Sequence, residues 1–397
     1  MLTRSRITAA LGLAALFLAA CSDSPNTPTA PDVAASQSVE LLAPQGSDYI
    51  VVLKEGDRSG VSAATTSIAA SVGAQVKDQW ADALQGFVAT MSDESAERLR
   101  RRADVLLVEK DAPMQANVTQ LNAPSWGLRR IDDRFLPNDA NYTYNKSGAG
   151  VHVYIIDTGI RPTHVDFAGR VLAGFSVIAG GVIDCNGHGT HVAGTAAGRT
   201  FGVAKNAWIH PVRVLNCAGS GTTAGVIAGV NWVRANRIQP AVANLSLGGG
   251  FSAALNLAVN NLVAVGNVAT AVAAGNSGLN ACTQSPSSAT NAVIVGATAI
   301  NDVRPAWSNF GPCLDLFAPG VNILSDWFTT NVATAVLSGT SMAAPHVAGV
   351  LAQVRQWAPA ANAAAVQANV VASATPGIVI NAGAGSPNRL LYMGYIP

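Results

Sequence analysis

Short apolar, β-branched runs at 49–53, 86–91 and 105–109 predict three strands near the start of the chain, separated by small or charged residues. Residues 60–72 carry a weak helical period. Residues 93–101 predict a firmer helix: Ser92 is a candidate cap, Asp93, Glu94 and Glu97 come first, and Arg98, Arg100 and Arg101 follow, in the charge order that complements a helix dipole. Roughly seventy residues of this alternation make a small α+β unit with a marginal core. After Trp126 the runs lengthen. Residues 151–157, 212–215, 242–247, 268–274 and 293–297 read as buried strands, and 222–237 and 252–265 as helices between them. Near-continuous apolar strands alternating with helices predict an α/β fold, with a mainly parallel central sheet and helices on both faces. Sites in such sheets gather beyond the C-terminal strand ends, where Asp157 and Asn276 fall.

The first 45 residues follow neither period. Arg4 and Arg6 precede an apolar run over 7–20 that is too short for a membrane span and reads as a signal peptide. The run ends Leu18-Ala19-Ala20-Cys21, which resembles a bacterial lipobox and implies acylation of Cys21. Ordinary secretory cleavage nearby is the alternative. Residues 22–45 are rich in Pro, Ser, Thr and Ala and read as a tether. The expected division is therefore signal peptide 1–20, tether 21–46, small unit 47–117 and main domain 118–397.

Composition narrows the function. With 49% hydrophobic residues, 12% charged and a formal net charge of +1, the chain has neither a nucleic-acid footprint nor an acidic tail. The small unit holds no constellation of His, Cys or paired acids. The main domain holds three motifs. Asp157-Thr158-Gly159-Ile160 could belong to an aspartic protease, but those enzymes need two facing carboxylates and no second such turn occurs. Asn186-Gly187-His188-Gly189-Thr190-His191-Val192-Ala193-Gly194 brings a histidine into a small-residue helix start. His188 and His191 lack a third ligand at metal spacing. Ser338-Gly339-Thr340-Ser341-Met342-Ala343 sets a serine at the junction of a turn and a helix, where free N–H groups favour negative charge on a neighbouring oxygen. Alone, that serine would be a helix cap.

Together the three motifs resemble those of the subtilisin-like serine proteases, closest to the proteinase K branch and its aqualysin-like members, over Trp126 to Tyr392. The order Asp157, His191, Ser341, and an alanine where Gly-x-Ser-x-Gly has its last glycine, argue against an α/β-hydrolase. The resemblance implies a secreted serine endopeptidase acting through an acyl-enzyme. Ser341 is expected as nucleophile, His191 as base, and Asp157 as the group that orients the imidazole. The side chain of Asn276 and the N–H of Ser341 are expected to bind the oxyanion. Gly219, Ser220 and Gly221 would pair with one side of an extended peptide and Ser246, Leu247 and Gly248 with the other. Ala273, Ala274 and Gly275 would help leave an open pocket for apolar or aromatic side chains.

The resemblance also implies that 47–117 is an inhibitory and folding-assisting propeptide, cut by the enzyme itself near 114–117. Cys185, Cys217, Cys282 and Cys313 allow three pairings. The resemblance implies Cys185–Cys217 and Cys282–Cys313, each worth on the order of 3–4 kcal/mol in the chain-entropy account. Structural calcium is expected at Asp132, Asp133, Asp139 and Asn141, although Arg129 stands where relatives often carry an acid. A second site is expected at Asp315 with the carbonyls of Pro286 and Ser288. No cofactor is expected for the chemistry. Partners would be polypeptide substrates and the chain's own propeptide, with no nucleic acid. Membrane contact would come only through Cys21, and the enzyme would be an exported monomer. The alternative function is a catalytically inactive, peptide-binding envelope lipoprotein of the same fold.

Overall fold

The computed structural model describes residues 46–54, 60–81, 84–111 and 118–397. The expected signal peptide, the acylated Cys21, nearly all of the tether and the processing segment 114–117 lie outside them. The described residues form two compact units.

The first unit contains β1 (Ser47–Leu53), α1 (Val61–Val72), β2 (Gln75–Trp80), β3 (Gly86–Met91), α2 (Asp93–Arg100) and β4 (Val105–Lys110), with an antiparallel sheet in the order β2-β3-β1-β4. Alternation in β1 buries Tyr49, Val51 and Leu53 against Ile68, Phe87 and Leu99. Ser92 caps α2 by accepting the N–H of Ser95 at 3.2 Å. β2 is an edge strand with five of its six residues exposed, so its polar sequence carries no hydrophobic period to read.

In the second unit β5 (Val118–Gln120) pairs with β6 (Tyr142–Tyr144), and α3 (Trp126–Ile131) lies between them. The central sheet uses β7 (His152–Asp157), β8 (Phe175–Ser176), β9 (Trp208–Arg213), β10 (Ala241–Leu245), β12 (Ala269–Ala273), β14 (Val293–Thr298), β15 (Leu316–Pro319), β18 (Thr375–Pro376) and β19 (Arg389–Leu390). Short β11 (Gly249–Gly250) and β13 (Gln284–Ser285) pair apart from it, as do β16 (Ile323–Asp326) and β17 (Thr334–Leu337). The sheet order is β18-β19-β15-β14-β12-β10-β7-β9-β8, parallel throughout except the β18–β19 edge. β9 begins four residues earlier than the expected 212–215, because Pro211 sits inside it. Gly174, which has no room for a Cβ against the Pro211 carbonyl, lets the neighbouring chain pass over the proline.

Helices α4 (His188–Ala197), α5 (Thr223–Asn236), α6 (Ala253–Ala264), α7 (Thr340–Trp357) and α8 (Ala363–Ser373) cover the sheet. One core packs α4, α7 and α8 on one face, and the other packs α5 and α6 on the opposite face. The expected α/β architecture, with helices on both faces, is the one found. From β7 the chain moves to β9 on one side, then returns to β10 on the other. Its topological switch therefore lies beside the C-terminal end of β7. Among the described residues no helix is long and apolar enough to cross a membrane.

Candidate active site

β7, β10 and β12 lie side by side, and strand neighbours stand about 4.8 Å apart. Their C-terminal ends deliver Asp157, Ser246 and Asn276 to one edge of the sheet. Asp157 is fully buried. Its Oδ1 accepts the N–H of Thr158 at 2.7 Å and faces Nδ1 of His188 at 2.8 Å. His188, not the expected His191, is therefore the imidazole against the aspartate. The loop before α4 explains how it gets there. Asp184 accepts N–H groups from Asn186 and Gly187 with one oxygen, and both the N–H and hydroxyl of Thr190 with the other. Gly187 has φ +107° and lies against the Trp327 indole, and Gly189 lies on the carbonyl of Gly159. A side chain at either glycine would push the loop away from Asp157.

His191 sits one turn further along α4 and is completely buried. Its Nε2 donates to the carbonyls of Ile323 at 3.0 Å and Ala335 at 3.2 Å, which fixes that nitrogen as a donor and ties α4 to the β16–β17 hairpin. Burial lowers its pKa to about 4, against the opposing pull of the Ile323 carbonyl. It is a neutral staple whose Nδ1 is buried and makes no hydrogen bond. For His188 burial also disfavours the charged form, but the Asp157 carboxylate, and Asp184 behind it, outweigh burial and raise its pKa above the ordinary 6.5. The His188 side chain keeps 25% exposure.

Ser341 is the second residue of α7, and its Oγ donates to the Ser246 carbonyl at 3.1 Å. His188 and Ser246 line the same groove, so the serine lies at the groove that holds the imidazole. Beside it, Oδ1 of Asn276 accepts both the N–H and hydroxyl of Thr340 at 2.8 Å each, and the Thr340 hydroxyl accepts the N–H of Gly275 at 3.0 Å. With its oxygen engaged, the amide turns Nδ2 outward. Nδ2 and the Ser341 N–H lie on the same side of Gly339, both close to where a Cβ on that glycine would stand. Two donors are thus fixed near one point before any substrate arrives. Asn276→Ala is expected to lower kcat by about 10²–10³ with little change in KM, measured on a peptide anilide.

The groove has a volume of about 390 Å³. Gly219, Ser220 and Gly221 line one wall and Ser246, Leu247 and Gly248 the other, with Val226 and Leu255 adding apolar surface. Ala273 and Ala274 do not line it, because both are buried in the core, and Gly275 is held under Thr340. Cys185 is bonded to Cys217, and Cys282 to Cys313. The first bridge joins the His188 loop to the groove wall, and Asn186 Nδ2 donates to the Cys217 carbonyl at 3.0 Å beside it.

The calcium expectations fit less well. Asp132 accepts the N–H of Thr143 with one oxygen and leaves the other buried without a donor. Burial raises its pKa to about 7, with Asp133 and Asp139 adding to the effect. However, Asp133 accepts the N–H of Asp139, and Asp139 accepts both the backbone and side-chain N–H of Asn141. Each loop acid thus gives at least one oxygen to an N–H of its own loop. Among the described residues no three acids, imidazoles or thiols converge as a metal would require. Asp315 accepts the N–H of Ile294 and lines a depression with Thr290 to Val293, not with Pro286 or Ser288. The Pro286 carbonyl accepts the N–H of Ala289.

Residues 148–393 match the Subtilase family, and 48–117 match Peptidase inhibitor I9. The chain is 45% identical to an extracellular serine proteinase of Thermus sp. strain Rt41A over 96% of its length and 97% of that protein's. It is 47% identical to an alkaline serine exoprotease A of Vibrio alginolyticus over 80% of its length and 60% of that protein's. A crystal structure of a cold adapted subtilisin-like serine proteinase superposes with a TM-score of 0.65 at 47% identity, covering 68% of this chain and 97% of that one. With an imidazole-aspartate pair, a helix-start serine and an aligned amide donor on this sheet, and a relative this similar over nearly its whole length, the chain belongs to the subtilase family of serine proteases and carries an inhibitor I9 segment ahead of its protease domain.

Proposed function

We propose that the protein is an exported serine endopeptidase with the triad Asp157, His188 and Ser341, made as a self-processing precursor. The observation that carries this reading is the 2.8 Å contact between His188 Nδ1 and buried Asp157, at a groove also lined by Ser246, whose carbonyl accepts the Ser341 hydroxyl. Nδ1–H donates to Asp157, so Nε2 keeps its lone pair. That nitrogen takes the proton of Ser341 as Oγ attacks the scissile carbonyl. The tetrahedral oxyanion is held by Asn276 Nδ2 and the Ser341 N–H. Collapse breaks the C–N bond, and the proton passes from Nε2 to the leaving amine. Water, activated by the same nitrogen, then attacks the acyl-enzyme and frees Ser341.

An extended peptide would add as a strand between 219–221 and 246–248 and pair through backbone groups, which read chain shape more than side chains. The apolar lining from Leu247, Val226 and Leu255 supports broad specificity with a preference for apolar and aromatic side chains. Residues 47–117 are the inhibitory segment, removed by the enzyme's own Ser341. Calcium has no part in this chemistry. The orphan oxygen of Asp132 is the feature in its loop that a hard cation would satisfy, so an ion there would act on stability. Export is supported by the extracellular relative, and an acyl group on Cys21 would anchor the precursor alone.

A fluorophosphonate is expected to label Ser341 with one-to-one stoichiometry and abolish proteolysis. The Ser341→Ala chain should persist as unprocessed precursor. Labelling elsewhere, or spontaneous release of 118–397 from the pure variant, would refute the assignment.

A further inference from the structure

The β16–β17 hairpin touches α4 at both of its ends. The Trp327 indole lies on Gly187, next to His188, and the Asp326 carboxyl lies on Gly194, with no room for a Cβ at either place. Between them the Ser325 hydroxyl donates to the His191 carbonyl at 2.8 Å. Asp326 is completely buried, and neither of its oxygens receives a hydrogen bond. A bare carboxylate there would be a buried charge with no compensation.

The neighbours of Asp326 do not supply the missing donor. Its Oδ1 stands 3.4 Å from Nδ1 of His164. That nitrogen already accepts the N–H of Asp166, while Nε2–H donates to the Ala333 carbonyl at 2.9 Å, so Nδ1 presents a lone pair. The other neighbour is Asp166, whose carboxylate accepts the N–H groups of Thr200 and Phe201. The cation on this side, Arg170, turns both terminal nitrogens to the carbonyls of Asp166, Ala197 and Ala207 and leaves Nε–H buried without a partner; its charge opposes the rise of the Asp326 pKa, but it makes no hydrogen bond to Asp326. Lys205 spends its ammonium on those of Arg199, Thr200 and Gly202, and Arg199 is the remaining charge nearby. From α4 the contact is Gly194, which cannot titrate. Acceptor faces acceptor, and only a proton reconciles them.

We propose that Asp326 is kept as a neutral carboxylic acid donating to Asp166, and that this buried proton makes Asp326 a positioning residue for the helix that carries His188. Burial first, and the Asp166 charge second, raise the Asp326 pKa to about 9, in agreement with the geometry. The folded chain then binds one more proton than the unfolded chain between the ordinary carboxylate range and about pH 9. Asp326's contribution to folding stability accordingly falls as pH rises through that window, by about tenfold in the unfolding constant per pH unit, and that contribution ends where Asp326 ionises. Once ionised, the charge drives the hairpin from Gly194, and Trp327 moves with it beside His188.

The test is infrared spectroscopy of the full chain carrying Ser341→Ala, which prevents self-digestion. At pH 8.5 Asp132 and Asp315, raised to about 7 and about 6 by burial, are ionised. A carbonyl band of a neutral carboxylic acid is expected at that pH, and it should vanish on adding Asp326→Asn. In urea unfolding, the ratio of the parent's unfolding constant to the variant's should rise about tenfold per pH unit from pH 5 to 8.5. In chains with Ser341 intact, the ratio of kcat/KM at pH 10 to that at pH 7.5 should be several-fold higher for Asp326→Asn than for the parent. Absence of the acid band at pH 8.5 overturns the proposal without any variant, and parallel unfolding profiles overturn it equally. The proposal rests on His188 as the base, but the infrared and unfolding results need no activity, so its failure is distinguishable from failure of the protease assignment.

Discussion

His188→Ala is expected to lower kcat by about 10⁶, the loss that removal of the base produces in subtilisin itself, with KM largely preserved. Asp157 touches one imidazole, and that ring alone lines the groove beside Ser246, whose carbonyl accepts the Ser341 hydroxyl. With the base removed, the serine hydroxyl must give its proton to water, and what remains is the contribution of Asn276 and of substrate binding. His191→Ala should behave differently. It removes the donor shared by Ile323 and Ala335 and empties a fully buried site, at a cost of about 1–3 kcal/mol. Its mark is a lower melting temperature, with kcat at low temperature retained to within about tenfold. Steady-state kinetics beside calorimetry separates the two. A stable, inactive His191→Ala paired with an active His188→Ala would invert the assignment.

Asp157→Asn is the second large effect, about 10⁴ in kcat. Two causes combine. The amide can present its N–H to Nδ1 and so stabilise the wrong tautomer, with the proton on Nε2 where a lone pair is needed. The variant also loses the charge that holds the His188 pKa above its ordinary value. Since the reaction needs neutral His188, activity of the parent is lost as pH falls through a value above about 6.5. Removing the Asp157 charge leaves burial dominant, so the acid limb of kcat/KM in Asp157→Asn should move to lower pH while the plateau drops. A pH–rate profile of both proteins checks this, and an acid limb that does not move would count against Asp157 as the source of the raised pKa.

The sheet and its helices were legible because buried parallel strands are nearly all apolar, and 151–157 is such a run, ending in a charge. The choice between two histidines in one motif was not. His188 and His191 have the same residue type and sit in the same small-residue run. What separates them is a 4.5 Å step along a helix, which carries the second ring beneath a hairpin more than 130 residues away in sequence. Asp184 was missed for a related reason: its five hydrogen bonds go to backbone and hydroxyl groups that no hydrophobic period reports. The loop acids 132–141 read as ligands by composition, but sequence could not say that they would accept from one another's N–H groups first.

The order of strands across the sheet has a bearing on how a cell can make such a protein safely. β19, almost the last segment in the sequence, lies between β15 and β18, and Ser341 arrives only with α7. The ends that carry Asp157, Ser246 and Asn276 are drawn from segments far apart along the chain. A polypeptide emerging from the ribosome or crossing a membrane therefore lacks its serine nucleophile until α7 has followed. By the time α7 brings Ser341, residues 47–117 are already part of the chain.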